Sequence, residues 1–225
     1  MENVIELKNI SKSYTVGDTT VKALDNINLT VKTGDFLAVL GDSGSGKSTL
    51  LNILGCLDKA TSGEYCFSGK NLENLSEREL SDLRGRKIGF IFQGFNLLPG
   101  LTAFENITAA LQYIGIKQNK EKIALDALNQ VGLSHRRNHL PHQLSGGQQQ
   151  RVAIARVIAQ NPKIILADEP TGNLDSDTAN EIIKILLSLH SEGRTILLIT
   201  HDNKIADRIP KKIHITNGQI SECNI

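Results

Sequence analysis

Residues 35–55 read DFLAVLGDSGSGKSTLLNILG, and the order of their parts decides the fold. Residues 35–40 form a nearly unbroken apolar run, as expected of a strand buried on both faces. Gly41, Asp42, Ser43, Gly44, Ser45, Gly46, Lys47 and Ser48 then fit the pattern G-x-x-x-x-G-K-[ST], and residues 47–55 continue with helical character. A glycine-rich turn between such a strand and a helix lets backbone N–H groups converge on phosphate oxygens, and the helix N-terminus adds partial positive charge. In this pattern Lys47 reaches the β and γ phosphates, Ser48 supplies a hydroxyl to Mg²⁺, and Thr49 completes the phosphate-binding stretch.

Working outward, apolar runs recur at KIGFIF (87–92), KIILAD (163–168) and TILLIT (195–200). The last two flank a helical stretch over 176–193, with Ser176 as its expected N-cap and Gly193 as its stop. That β-α-β order predicts a mainly parallel sheet. Residues 4–10 and 21–31 alternate apolar and polar positions and predict half-buried antiparallel strands. The stretch 211–222 predicts a hairpin turning at Asn217-Gly218 in type I′ geometry. From Gln93 to Asn161 the pattern turns helical, with a capping box at Thr102-x-x-Glu105 and a further helix over 119–132 closed by Gly132.

Buried strands that end in polar groups are the next signal. Residues 164–169 end in Asp168 and Glu169, a costly pair unless metal, water or partners meet it. Beside a phosphate loop, Asp168 is expected to hold Mg²⁺ through its water shell, and Glu169 to polarise the water that attacks the γ phosphate. His201 ends another such strand and is expected to contact the γ phosphate, against the plainer reading of a structural histidine. Gln93 ends a third, where its amide reaches Mg²⁺ or the attacking water, or merely caps the strand. Tyr14, in the turn-like stretch 11–18, reads either as a ring stacked on adenine or as an ordinary core or surface tyrosine.

Composition sets the bounds. The 225 residues suffice for one large domain, and hydrophobic residues at 40% with charged residues at 22% are ordinary for a globular protein. A net charge of +1 gives no footprint for nucleic acid. Cys56, Cys66 and Cys223 lack C-x-x-C spacing and read as reduced thiols. Residues 1–14 lack the apolar segment of a signal peptide, and no apolar run reaches the ~18 residues of a membrane span. Any membrane role therefore runs through a partner.

One motif is left over. HQLSGGQQQRVAIAR (142–156) is a second glycine-rich entry to a helix, built to hold an anion. Taken with the phosphate loop, Gln93, the 164–169 strand and His201, in that order, Leu144-Ser145-Gly146-Gly147-Gln148 makes the chain resemble the ATP-binding cassette (ABC) family over essentially its whole length. The resemblance implies ATP and Mg²⁺ as cofactors and a homodimer, or a pair of cassettes, stacked head to tail. Ser145, Gly146, Gly147 and Gln148 of one chain would then cover the γ phosphate held by the other. It makes Tyr14 the adenine-stacking aromatic and, through GNLD (172–175), sends Asp175 across the dimer interface. Gln149, Gln150 and Arg151 are read as a solvated or interfacial helix face.

The fold implied is α/β, a P-loop NTPase (RecA-like) core with a mainly parallel sheet, an antiparallel β subdomain and a helical insertion subdomain. Residues 1–225 would form one domain, with 1–92 and 159–225 as the nucleotide-binding core and 93–158 as the helical signature subdomain. The stretches 51–64, 92–107 and 167–182 resemble the subfamily serving macrolide and peptide efflux and lipoprotein release. This implies an integral membrane permease subunit sensed through residues 93–107, a periplasmic or extracytoplasmic adaptor, and a peripheral place on the cytoplasmic face of the inner membrane. The alternative is an ATPase gating a cell-envelope hydrolase or sensor through a membrane protein without transport. Asp42 departs from the family, which usually has proline there, and its carboxylate is expected to weaken ATP binding slightly.

Overall fold

The computed structural model describes residues 2–224, and for residues 16 and 222–224 the backbone alone. β1 (Asn3–Val16) and β2 (Thr19–Lys32) are long antiparallel strands. β3 (Phe36–Leu40) feeds the glycine loop and α1 (Lys47–Leu54). β4 (Ser62–Phe67) and β5 (Lys70–Asn71) return to the first sheet, of order β2-β1-β4-β5. After α2 (Glu77–Lys87) and β6 (Ile88–Phe92) come three mutually packed helices, α3 (Ala103–Tyr113), α4 (Lys120–Gln130) and α5 (Gly146–Gln160). β7 (Ile164–Asp168), α6 (Ser176–Ser191) and β8 (Ile196–Ile199) form the β-α-β unit, followed by α7 (Asn203–Ala206) and the hairpin β9 (Lys211–Thr216) and β10 (Gln219–Asn224). The second sheet, β10-β9-β3-β8-β7-β6, is parallel at every pair except β9 with β10.

Side chains along a strand alternate between faces, so the parallel strands divide their apolar residues between two cores. Leu37, Val39, Leu166, Leu197 and Ile213 face α1 and the first sheet. Phe36, Ala38, Ile165, Ala167, Ile196 and Leu198 face α3–α6. The helix that carries Lys47 is thus wedged between the sheets by Leu50, Leu51, Ile53 and Leu54, all at most 2% exposed. Each such leucine contributes about 1.5–3 kcal/mol by leaving water, which fixes the phosphate loop to both layers.

Several local expectations need correction. Asp175, not Ser176, caps α6: its Oδ1 accepts from the N–H groups of Asp177 and Thr178, and Ser176 is the first helical residue. Tyr14 lies inside β1, because the turn comes later, at residues 17–18. Gln150 does not face solvent; it is 0% exposed. β4, β5 and α2 have no counterpart among the elements expected from the sequence. The box at Thr102 forms as expected, with Glu105 Oε2 accepting from Thr102 N at 2.8 Å, and Asn217 (φ 50) and Gly218 (φ 74) make the hairpin turn.

Cys56 and Cys66 are free thiols, whereas the Cys223 side chain lies outside the described residues. Burial pushes the Cys56 thiol up to about 11, overriding the opposing charge of Arg84. No helix among the described residues is long and apolar enough to cross a membrane.

Candidate functional site

A cleft of about 1050 Å³ opens along the carboxyl ends of the parallel strands. The loop from Gly41 to Thr49, apart from the buried Ser45, lines one wall with Gln93, Asp168, Glu169 and His201, and Val21–Ala23 of β2 line another. Sequence reasoning named the first group because each stands at the end of a buried strand. It missed Val21, Lys22, Ala23, His214, Asn217 and Gly218, which reach the cleft through tertiary contacts alone.

The loop is braced from outside as well as within. Gly46 has φ 109, and a Cβ there would stand 2.5 Å from the carbonyl oxygen of Ala23, so only glycine fits. Gly218 N donates to Ser45 O at 2.9 Å and Asp25 N donates to Gly218 O at 2.8 Å, so the last hairpin's turn clasps the loop against β2. Lys47 is buried, and its Nζ donates to the carbonyls of Gly41 and Asp42 at 2.7 and 2.6 Å. Its cation is therefore held by neutral oxygens, leaving its charge available to an anion. The Ser45 hydroxyl is buried with no partner among the described residues, while the Asp42 side chain is exposed.

At the end of β7, desolvation chiefly raises the Asp168 carboxyl; the neighbouring charge of Glu169 adds to this and Lys47 opposes it. Glu169 adopts φ 41, a left-handed backbone uncommon outside glycine, and its N–H donates to Ile199 O at 3.0 Å. That turn carries its Oε2 to 2.9 Å from Nδ1 of His201. Gln93 is joined side chain to side chain with Asn173, a partner the reading missed. A Cβ on Gly172 would meet both Gln93 Nε2 and Glu169 Oε2, so the ends of β6 and β7 present an amide and two carboxylates together.

Tyr14 does not line the cleft, although its strand partner Val21 does. Its hydroxyl donates to Asp58 Oδ2 at 2.8 Å, and Lys12 Nζ lies 4.8 Å from the ring centroid. Ser145–Gln148 also lie away from the cleft. There Ser145 caps α5 in a box with Gln148, whose Oε1 accepts from Ser145 N at 3.1 Å. Ser145 itself is exposed. Asp175 is committed to capping α6, with Thr178 Oγ1 donating to its Oδ2 at 2.7 Å.

Comparison with known proteins gives one answer. The family model described as ABC transporter matches residues 24–172. The macrolide export ATP-binding/permease protein MacB of Hyphomonas neptunium is 49% identical over 219 residues, covering 96% of this chain and 34% of the relative. An uncharacterised ABC transporter ATP-binding protein of Thermotoga maritima is 45% identical, covering 98% of this chain and 94% of the relative. The dimeric post-hydrolysis structure of the ATP-binding cassette MJ0796 bound to ADP and Pi matches with a TM-score of 0.90 at 44% identity, covering 98% of this chain and 97% of that one. The chain spans about a third of the length of the macrolide export relatives it matches.

Proposed function

The chain belongs to the ABC transporter family as an ATP-binding ATPase cassette, and from that premise we propose that it hydrolyses ATP in the cleft to power a separate membrane subunit. The observation that carries the reading is the close Glu169–His201 pair at the rim of a phosphate loop. Lys47 and the backbone N–H groups of Gly41–Thr49 bind the phosphates, and the adenine reaches past Val21 out of the cleft to its strand partner Tyr14. Glu169 takes the proton of the attacking water. His201, at 2.9 Å from that carboxylate, reaches toward the γ phosphate.

The residues fit Mg²⁺. Ser48, the Gln93 amide oxygen and Asp168 are hard oxygen donors, and a cation would relieve the desolvated carboxyl of Asp168. When bound, Mg²⁺ supplies charge neutralisation and polarisation of the phosphates. One carboxylate among the three donors matches an ion that keeps several waters and leans on the phosphates.

Ser145–Gln148 stand outside the cleft and are exposed at Ser145, which supports their serving the nucleotide of a second, head-to-tail copy. Phe90, Phe92, Leu98, Tyr113, Arg84 and Arg156 line an open groove of about 480 Å³, and Leu98 and Tyr113 are exposed. Just past Gln93, Phe95 (φ 62) and Asn96 (φ 49) hold left-handed backbone, and Arg156 Nη1 donates to Asn96 O at 2.7 Å. This groove is the seat of the permease, and its loop leads straight to the cleft. Similarity to the macrolide export ATP-binding/permease proteins supports a role in export; we extend this to a drug, peptide or lipoprotein substrate, an extracytoplasmic adaptor and a place on the cytoplasmic face of the membrane. We read the chain as one domain with residues 93–158 as its helical part.

The test is the solution mass of a Glu169→Gln variant by light scattering, with ATP, with ADP and without nucleotide. A dimer formed with ATP alone and abolished by Ser145→Arg is expected. A monomer with ATP bound overturns the homodimer.

A further inference from the structure

Gln150 stands two residues past the Ser145–Gln148 stretch and is 0% exposed. Its Nε2 donates to the carbonyl of Phe92 at 3.3 Å and to that of Pro170 at 2.7 Å, while its Oε1 has no partner among the described residues. The two carbonyls flank Gln93 and Glu169, so one side chain ties together the two strand ends that present them. A buried amide with an unused acceptor costs stability, and an apolar residue would remove that cost.

The same helix face is fastened at two further points. Positions i, i+3 and i+4 share a face, which groups Gly147, Gln150 and Arg151. A Cβ on Gly147 would stand 2.1 Å from Thr178 Cγ2, so α5 lies directly on the start of α6. Arg151 Nη2 is 3.8 Å from Glu181 Oε2. The first turns of α5 are thereby locked to the segment running from Glu169 through Asp175 into α6.

We infer that Gln150 is a positioning residue through which nucleotide capture at Ser145–Gln148 aligns Gln93 and Glu169 in the chain's own cleft. This rests on the roles proposed above for those residues. A displacement of the α5 entry has no slack to absorb it, because the amide donates to both strand ends. Each of two paired chains then readies its own cleft only when its α5 has engaged the other's nucleotide, which accounts for a helix that serves one site being pinned to another.

The experiment is steady-state ATP hydrolysis by the full chain carrying Gln150→Met, which keeps volume and removes the donor. Misplacement of reacting groups costs up to about 10²-fold, so kcat is expected to fall about tenfold or more with KM for ATP within about twofold. Gln150→Glu adds a pH profile: its ionised carboxylate cannot donate, whereas the protonated form can. Its activity relative to the parent at equal pH therefore rises as pH falls, which loss of packing would not cause. Hydrogen exchange reads the same link without turnover: Mg-ATP slows exchange at residues 168–173 in the parent, and Gln150→Met loses that protection while keeping it at 41–49. A kcat within twofold of the parent, a KM that rises in step, or protection at 168–173 that survives overturns the inference. Undiminished hydrolysis by Glu169→Gln would instead overturn the assignment of Glu169, whatever Gln150 does.

Discussion

Gln93 and Asn173 hold each other by two bonds: Gln93 Nε2 donates to Asn173 Oδ1 at 3.1 Å, and Asn173 Nδ2 donates to the Gln93 carbonyl at 3.2 Å. The residue at the end of β6 is thus steered by the loop that leads to Asp175. Asn173→Ala removes both bonds and leaves the loop sequence otherwise unchanged. Hydrolysis is expected to fall about five- to tenfold with KM for ATP unchanged, the pattern of a misplaced group rather than lost binding. Initial rates over a range of ATP concentrations check this.

The Glu169–His201 pair predicts strong non-additivity. Glu169→Gln and His201→Ala should each lower kcat by about 10²-fold or more while ATP still binds. Groups that act as a unit do not add, so the double variant should lie within about threefold of the worse single one. Losses that multiply would mean the two residues work separately.

Asp168 predicts a trade between stability and function. Burial, reinforced by Glu169, raises its folded-state pKa, so the folded chain holds that proton more tightly than the unfolded one. The sign follows: above both pKa values the charged form disfavours folding, and below both the penalty is gone. Without nucleotide, Asp168→Asn should melt higher than the parent at pH 7–8, with the gain shrinking as pH falls through the raised value and on past the ordinary carboxylate range. Its Mg²⁺-dependent hydrolysis should be lost. Thermal melts across pH, paired with rates, test both halves.

Asp42 is a charge beside a triphosphate site. Its carbonyl serves Lys47, so Asp42→Asn removes the charge and keeps the backbone. ATP is expected to bind about two- to fivefold more tightly at low salt, and the difference should fade as salt shortens the Debye length. Asp42→Pro should behave in the same way. Equal affinity of parent and variants at low salt would show that the carboxylate is electrostatically silent.

The parallel sheet was legible because its strands are covered on both faces and must be apolar throughout. The residues that end those strands, Asp168, Glu169, His201 and Gln93, stood out as polar groups closing apolar runs. Helix α2 escaped notice although Ser76 and Glu79 form the same box as Thr102 and Glu105, because it is highly charged and buries only Leu80. Asp175 and Ser176 are both good capping residues, and side by side they give no sequence signal for which comes first. Gln150 was misread for a deeper reason. A glutamine among glutamines looks solvated, and only the carbonyls of Phe92 and Pro170, far off in the chain, make its burial tolerable.

The clasp of Gly218 on Ser45 bears on how the chain matures. The phosphate loop is made early in synthesis, yet the turn that completes its wall comes near residue 218. Until that hairpin docks, Ser45 and Asp25 lack the bonds that set the loop against β2. Nucleotide affinity therefore waits until that hairpin has met the loop. ATP in the cell then selectively stabilises the form with the hairpin docked, because a ligand that binds only that form draws the population toward it.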